Sequence, residues 1–131
     1  MRRILVVEDS VSTRSFIRSA LETGGRFGPC DIVEASSGFD ALRLLPRGHY
    51  DLVITDINMP DINGLELVQF MRKSDRHRST ALMIISTQSS EKDRERAMQL
   101  GADEFMAKPF GVDALLSAVG RLLAGRTVAS G

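Results

Sequence analysis

Five polar residues stand at the ends of short apolar runs. Glu8 and Asp9 follow Ile4–Val7, Asp56 follows Leu52–Thr55, Ser86 follows Leu82–Ile85 and Lys108 follows Glu104–Ala107. Two carboxylates about 5 Å apart, at an effective dielectric of about 20, repel by roughly 3 kcal/mol. A third makes this worse, and one lysine cannot neutralise them all. Either a carboxyl stays protonated or a divalent cation joins the group. Hard oxygen donors that leave room for retained waters suit magnesium, whereas calcium asks for more protein oxygens. With such a cation present, one carboxylate could attack a phosphorylated donor and form an aspartyl phosphate. The other acids would hold the metal, and the metal and Lys108 would balance charge on the transferring group. Asp9 lies just before a helix start, where an acid often serves as a cap or dipole partner. Asp56 precedes Ile57-Asn58-Met59-Pro60, where no helix begins, so it is the better nucleophile candidate.

The chemistry depends on elements that place these residues together. The apolar runs, with Asp31–Glu34 added, are spaced as five strands, four of them rich in Val, Ile or Leu with little alternation. That is the composition of strands covered on both faces. Between them lie segments with helical spacing, through Phe16, Ile17, Ala20 and Leu21, then Phe39, Leu42 and Leu45, then Leu65, Val68 and Met71, and finally Leu115, Val119 and Leu122. Ser12, Ser37, Asn63 and Ser89 or Ser90 are the expected N-caps, and Gly24-Gly25, Pro46-Arg47-Gly48 and Gly101 the expected stops. Five βα units joined by right-handed crossovers predict an α/β fold, a doubly wound five-stranded parallel sheet of the flavodoxin-like (βα)5 kind. In such sheets ligands bind at the carboxyl ends of the strands, the rim on which all five residues fall. Taken singly, each has a structural alternative: a helix cap for Glu8-Asp9, a strand-end hydroxyl for Ser86, a solvated lysine for Lys108. Their coincidence on one rim favours a site.

With 131 residues the chain has the length of one domain, and 43% apolar content excludes disorder on composition. The expected division is a domain over 1–124 and a short flexible tail or linker start over 125–131, too small and polar to form an element. Lys and Arg total 17, as do Asp and Glu, so no basic surplus asks for nucleic acid. The cluster Arg72, Lys73, Arg76, Arg78 reads as a solvated helix end and loop, or else a docking patch. The run Glu91 to Arg96 reads as a solvated face held by local ion pairs. The single cysteine, Cys30, reads as a small core residue and fits a cytoplasmic location. No apolar stretch approaches the length of a membrane span, so no membrane insertion is expected.

At these residues the sequence resembles the receiver domain of bacterial two-component response regulators, most closely the stand-alone chemotaxis type. The resemblance runs from about Ile4 to Leu123. It rests on Val6-Val7-Glu8-Asp9-Ser10, Thr55-Asp56-Ile57-Asn58-Met59-Pro60 with Gly64 beyond, Ile84-Ile85-Ser86-Thr87 and Lys108-Pro109-Phe110. It implies that Asp56 is the phosphoacceptor and that Glu8, Asp9, Asp56 and the backbone carbonyl of Asn58 ligate magnesium. Ser86 and Lys108 would contact the phosphoryl group, and the bond before Pro109 would be cis. Asn58 and Gln88 would flank the attacking water and set the phosphoryl lifetime. Two positions vary the pattern. The acidic pair is Glu-Asp where Asp-Asp is commoner, and the longer arm of Glu8 allows contact with the metal through a water. The switch position holds Phe105 where Tyr is frequent, so no hydroxyl is offered to a partner. A sensor histidine kinase is the implied donor, and a separate effector reading the face of helix four, strand five and helix five the implied target. The expected state is a monomer, with a weak phosphorylation-dependent dimer as its variant.

Such a chain is a signalling domain rather than an enzyme, catalysing its own phosphorylation and dephosphorylation. A phosphorylation-independent interaction module is a competing reading, opposed by the complete acid, hydroxyl and lysine set. A flavin-binding protein is opposed by the acids and missing glycines of the first loop. An aspartate-nucleophile phosphatase is opposed by Asn58, where a second acid is wanted.

Overall fold

A computed structural model describes residues 2–24, 28–87 and 90–130, with side chains as far as 124. Five strands, β1 (Arg2–Val7), β2 (Cys30–Ala35), β3 (Leu52–Asp56), β4 (Ala81–Ser86) and β5 (Glu104–Ala107), form one sheet. All pair in parallel, in the order β2-β1-β3-β4-β5. Helices α1 (Val11–Gly24), α2 (Gly38–Leu44), α3 (Gly64–Lys73), α4 (Glu91–Leu100) and α5 (Val112–Ser130) cover it, and α2 runs on into a 3-10 turn over Leu45–Arg47. Alternate residues of β1 face opposite layers. Ile4 and Val6 join Ile17, Leu21, Leu115 and Val119 under α1 and α5, while Leu5 and Val7 join Ala41, Leu67, Met71 and Ala97 under α2, α3 and α4. Both layers are buried, which explains the unbroken apolar runs of the central strands.

Helix starts follow the expected chemistry with one shift. Ser37, Asn63 and Ser90 accept from the amides of Asp40, Glu66 and Asp93, and Glu66 completes a capping box on α3. Ser12, the residue expected to cap α1, lies inside that helix. The cap passes to Ser10, whose hydroxyl accepts from the Thr13 amide at 3.3 Å. Gly101 ends α4 at φ +119°, a left-handed conformation that favours glycine. Gly25 lies outside the described residues.

Other expectations need correction. The segment 125–130, expected as a tail, continues α5 to Ser130. It holds no proline, and one interior glycine costs only about 1 kcal/mol, too little to stop a running helix. Phe16 and Phe39 do not join the core, with 38% and 63% of their surface exposed. Among the described residues no ion pair links the charged side chains of α4, because Asp93 is taken by Ser90 and its neighbours point to solvent. Cys30 is half-buried against the α1 and α5 layer.

Arg72 is not part of a solvated basic cluster. Its guanidinium donates to the carbonyls of Gly101, His77, Arg78 and Thr80 at 2.9 to 3.1 Å, and to the Asp103 carboxylate at 3.2 Å. Asp103 in turn accepts from the Leu82 amide at 2.9 Å. One side chain thus ties the end of α3 to the end of α4 and the starts of β4 and β5. The flat guanidinium fork suits this; a lysine could not reach so many acceptors.

Beside it, His77 is 1% exposed. Its Nε2 donates to the Leu45 carbonyl at 2.6 Å, which leaves Nδ1 to accept from the Thr80 hydroxyl at 3.3 Å. Burial holds its pKa below the ordinary 6.5, aided by Arg76 and His49 and opposed by the Leu45 contact. The unfolded chain therefore takes up the proton first as pH falls. Stability is complete above about pH 6.5 and declines below it, with a limiting slope of about 1.4 kcal/mol per pH unit. Burial raises the pKa of Glu8, which acts in the opposite sense, so the His77 share is isolated by difference. Urea titrations of the parent and His77→Gln between pH 7.5 and 5 should show a steeper loss of stability toward acid in the parent. Identical pH slopes in the two proteins would refute the assignment.

Candidate functional site

The end of β1 brings Glu8 and Asp9 to the carboxyl rim, the last residue of β3 brings Asp56, the last of β4 brings Ser86, and the turn after β5 brings Lys108. Parallel register aligns these ends, with Asp56 opposite Ile85 and Ser86 opposite Ala107. Carboxylate oxygens of Glu8, Asp9 and Asp56 all lie within 4.8 Å of one another. The Lys108 Nζ donates to Glu8 Oε1 at 2.5 Å and to Asp56 Oδ2 at 2.9 Å. Glu8, Asp9, Asp56 and Lys108 therefore meet in one place, and Ser86 ends the neighbouring strand with its carbonyl accepting from the Lys108 amide at 2.8 Å. Lys108–Pro109 is cis.

Each acid has its own environment. Glu8 has no exposed surface. Its backbone amide donates to the Ala35 carbonyl at 3.0 Å, and its Oε2 accepts from the Ser10 amide at 3.1 Å. Burial pushes its pKa up, against the pull of Lys108 and the Ser10 amide, and with Asp9 and Asp56 adding to the rise. Lys108 moves up as well, since its two carboxylate partners outweigh the opposing effect of burial. Asp56 is 6% exposed, and its Oδ1 accepts from the Asn58 amide at 3.2 Å. Asp9 is exposed, which leaves the acidic group open to solvent on one side. Ser86 is fully buried at the strand end.

The loop after β3 is shaped by Gly64. A Cβ there would stand 2.3 Å from the Asp56 carbonyl oxygen and 3.0 Å from the Ile57 Cα. Only glycine lets the first turn of α3 pack so closely on the backbone of Asp56. Asp61 completes the loop by accepting from the Gly38 and Phe39 amides at 3.1 and 2.8 Å, joining it to the start of α2. Neither Asp61 nor Arg14, which donates to the Glu8 carbonyl at 2.7 Å, is apparent in the sequence. Both act across elements, and no local motif marks them. Gln88 lies outside the described residues. Phe105 is 4% exposed and already packed in the α2, α3 and α4 layer. Beside Lys108 lies a cleft of about 380 Å³ lined by Ser12, Thr13, Thr87 and the rings of Phe16 and Phe110, which are in contact with centroids 5.8 Å apart.

The donor set tests the expectation of magnesium. Three carboxylates face one ammonium, so the cluster keeps a formal surplus of two negative charges that a divalent cation would cancel. All donors are hard oxygens, and the exposed side at Asp9 leaves room for retained waters. The residues fit the ion.

Fold and rim together define a flavodoxin-like α/β signalling domain. The profile of the response regulator receiver domain matches residues 4–120, and the chain belongs to that family. Protein PilG of Pseudomonas aeruginosa is 27% identical over 117 residues, covering 89% of this chain and 84% of PilG. The aerobic respiration control protein ArcA of Escherichia coli is 36% identical over 107 residues, covering 82% of this chain and 42% of ArcA. The chain thus spans less than half of that relative. The solved structure of the chemotaxis response regulator CheY4 of Vibrio cholerae superposes with a TM-score of 0.85 at 28% identity, covering 93% of this chain and 98% of that one. Among the described residues no helix is long and apolar enough to cross a membrane.

Removing one of the three acids separates charge repulsion from metal binding. With no metal added, Asp9→Asn should raise stability by about 1 kcal/mol, a value reduced from the Coulomb figure because Asp9 is exposed. The same variant should lose most of the magnesium-dependent gain that the parent shows. Thermal unfolding with and without magnesium checks both, and a variant as strongly stabilised by magnesium as the parent contradicts the site.

Proposed function

We propose that this chain is a phosphoacceptor switch, taking a phosphoryl group from a sensor histidine kinase onto Asp56 in a magnesium-dependent reaction. The observation that carries the reading is the placement of Asp56. Its Oδ2 is 2.9 Å from the Lys108 ammonium, inside a cluster of three carboxylates within 4.8 Å. Glu8, Asp9, Asp56 and the Asn58 carbonyl would hold the ion, which when bound supplies charge neutralisation and orients the phosphoryl oxygens. Asp56 attacks phosphorus, an O–P bond forms, and the P–N bond of the donor phosphohistidine breaks with the electron pair leaving on the imidazole. Lys108 gives up its contact with Asp56 to meet a phosphoryl oxygen, and the Ser86 hydroxyl donates to another. The cleft beside Lys108 gives the donor an approach. Asn58 would flank the attacking water and so help set how long the phosphoryl group lasts, a role the family resemblance also gives to Gln88.

The output reading is a separate effector bound to the face of α4, β5 and α5. Its support is the position of β5 at the sheet edge and the exposure of Met98 on α4 and Val112 on α5. Phe105, packed beneath that face, carries the change from the rim without offering a hydroxyl. Incubation with acetyl phosphate and magnesium should label the parent; labelling should vanish in Asp56→Asn and on chelation of the metal. Full labelling of Asp56→Asn would remove Asp56 as the acceptor.

A further inference from the structure

The strongest unassigned feature near the rim is a three-residue bridge between α1 and β2. Arg14 donates from one nitrogen to the Glu8 carbonyl at 2.7 Å and from Nε to Glu34 Oε1 at 2.9 Å. Arg18, one turn further along α1, donates to the other oxygen of Glu34 at 2.6 Å and pairs with Glu22 at 3.2 Å. Arg14 is the more enclosed of the two, with 17% of its side chain exposed against 40% for Arg18. Of the two arginines, Arg14 reaches the backbone of a rim acid, Glu8.

The consequence for Glu8 follows from its bonding. The amide of Glu8 is fixed by the Ala35 carbonyl of β2, and its carbonyl by the guanidinium of Arg14, itself anchored on Glu34 of the same strand. Both ends of the Glu8 backbone are therefore tied to β2 or to a side chain braced against it. A carboxylate on a backbone with two fixed ends has little freedom beyond its own torsions. This is the support that metal-ligand groups need, since a loosened outer contact commonly costs 10–100-fold in metal affinity. Aspartate, with one methylene fewer, has fewer torsions to restrain. The Glu-Asp pair of this chain thus places more demand on the backbone beneath it.

We infer that Arg14 is a positioning residue for the metal site, holding the Glu8 backbone so that the Glu8 carboxylate is aimed at the bound cation. The inference rests on the magnesium-dependent reading of the rim and adds to it a residue that touches neither metal nor phosphoryl group. Charge alone predicts the reverse effect. A guanidinium near the acids repels a divalent cation, so removing it without a geometric role would tighten binding.

The test uses the full chain, magnesium alone as ligand, and amide NMR shifts of the rim as readout. Arg14→Lys keeps the charge but loses the two-point fork, and it should weaken magnesium binding about 10-fold. Arg14→Gln should weaken it as well, while Arg18→Gln, which disturbs the same Glu34 without touching Glu8, should leave it within twofold of the parent. If Arg14→Lys fails to fold, Glu34→Gln is read in its place and should weaken binding severalfold. Unchanged or tighter binding in the Arg14 variants, or an equal loss in Arg18→Gln, overturns the inference. A parent that shows no magnesium-dependent shift at all overturns instead the metal reading on which it rests.

Discussion

Three carboxylates held within 4.8 Å of one another at the end of a sheet repel, and the rest of the rim is arranged around that repulsion. Burial of Glu8 makes the repulsion stronger by removing water that would screen it. The opposing attractions are few. Lys108 bridges Glu8 and Asp56, backbone amides of Ser10 and Asn58 each donate to one acid, and the exposed side at Asp9 admits solvent. One ammonium and two amides do not cancel three charges. A divalent cation would supply the positive charge that these donors leave uncancelled, and the three carboxylates fit one.

Holding the acids there is a task for the backbone. Parallel strand register sets the distance between Glu8, just after β1, and Asp56, the last residue of β3, since Val7 lies opposite Thr55. Gly64 allows α3 to close on the Asp56 carbonyl, and Asp61 ties the intervening loop to α2. Arg14 and Arg72 do comparable work at opposite ends of the sheet, each converting one guanidinium into a joint between elements. Such joints are rigid because the fork is planar and its donors point in fixed directions.

Much of this was legible in the sequence for physical reasons. Strands covered on both faces must be apolar throughout, so β1, β3 and β4 stood out, and Asn63 marked the start of α3, where the structure adds a capping box with Glu66. The rim acids and Ser86 were legible because each stands at the end of such a strand, while Lys108 was marked by its place after the short edge strand β5 and before Pro109. What stayed hidden involves contacts between residues distant in sequence. Arg72 looked like one of several surface cations, and only the fold shows it reaching Gly101 and Asp103. Phe39 fitted a helical period yet faces solvent, because α2 is short and its packing is carried by Ala41 and Leu45. Ser12 and Ser10 are both plausible caps, and the choice between them depends on where the chain turns after Glu8. Arg14 bears on Glu8 through its carbonyl, a contact with no signature in residue type or spacing.

Asp56, rather than its acidic neighbours, is the proposed phosphoacceptor, set apart from Asp9 by its burial and its bond to Lys108. This assignment is tested most directly by trapping the acyl phosphate. Brief reaction with acetyl phosphate and magnesium, reduction with borohydride and peptide mass spectrometry would locate the modified carboxyl. The mass change is expected on the peptide carrying Asp56, at that residue and dependent on magnesium. Modification at Glu8 or Asp9, or at Asp56 without magnesium, would contradict it.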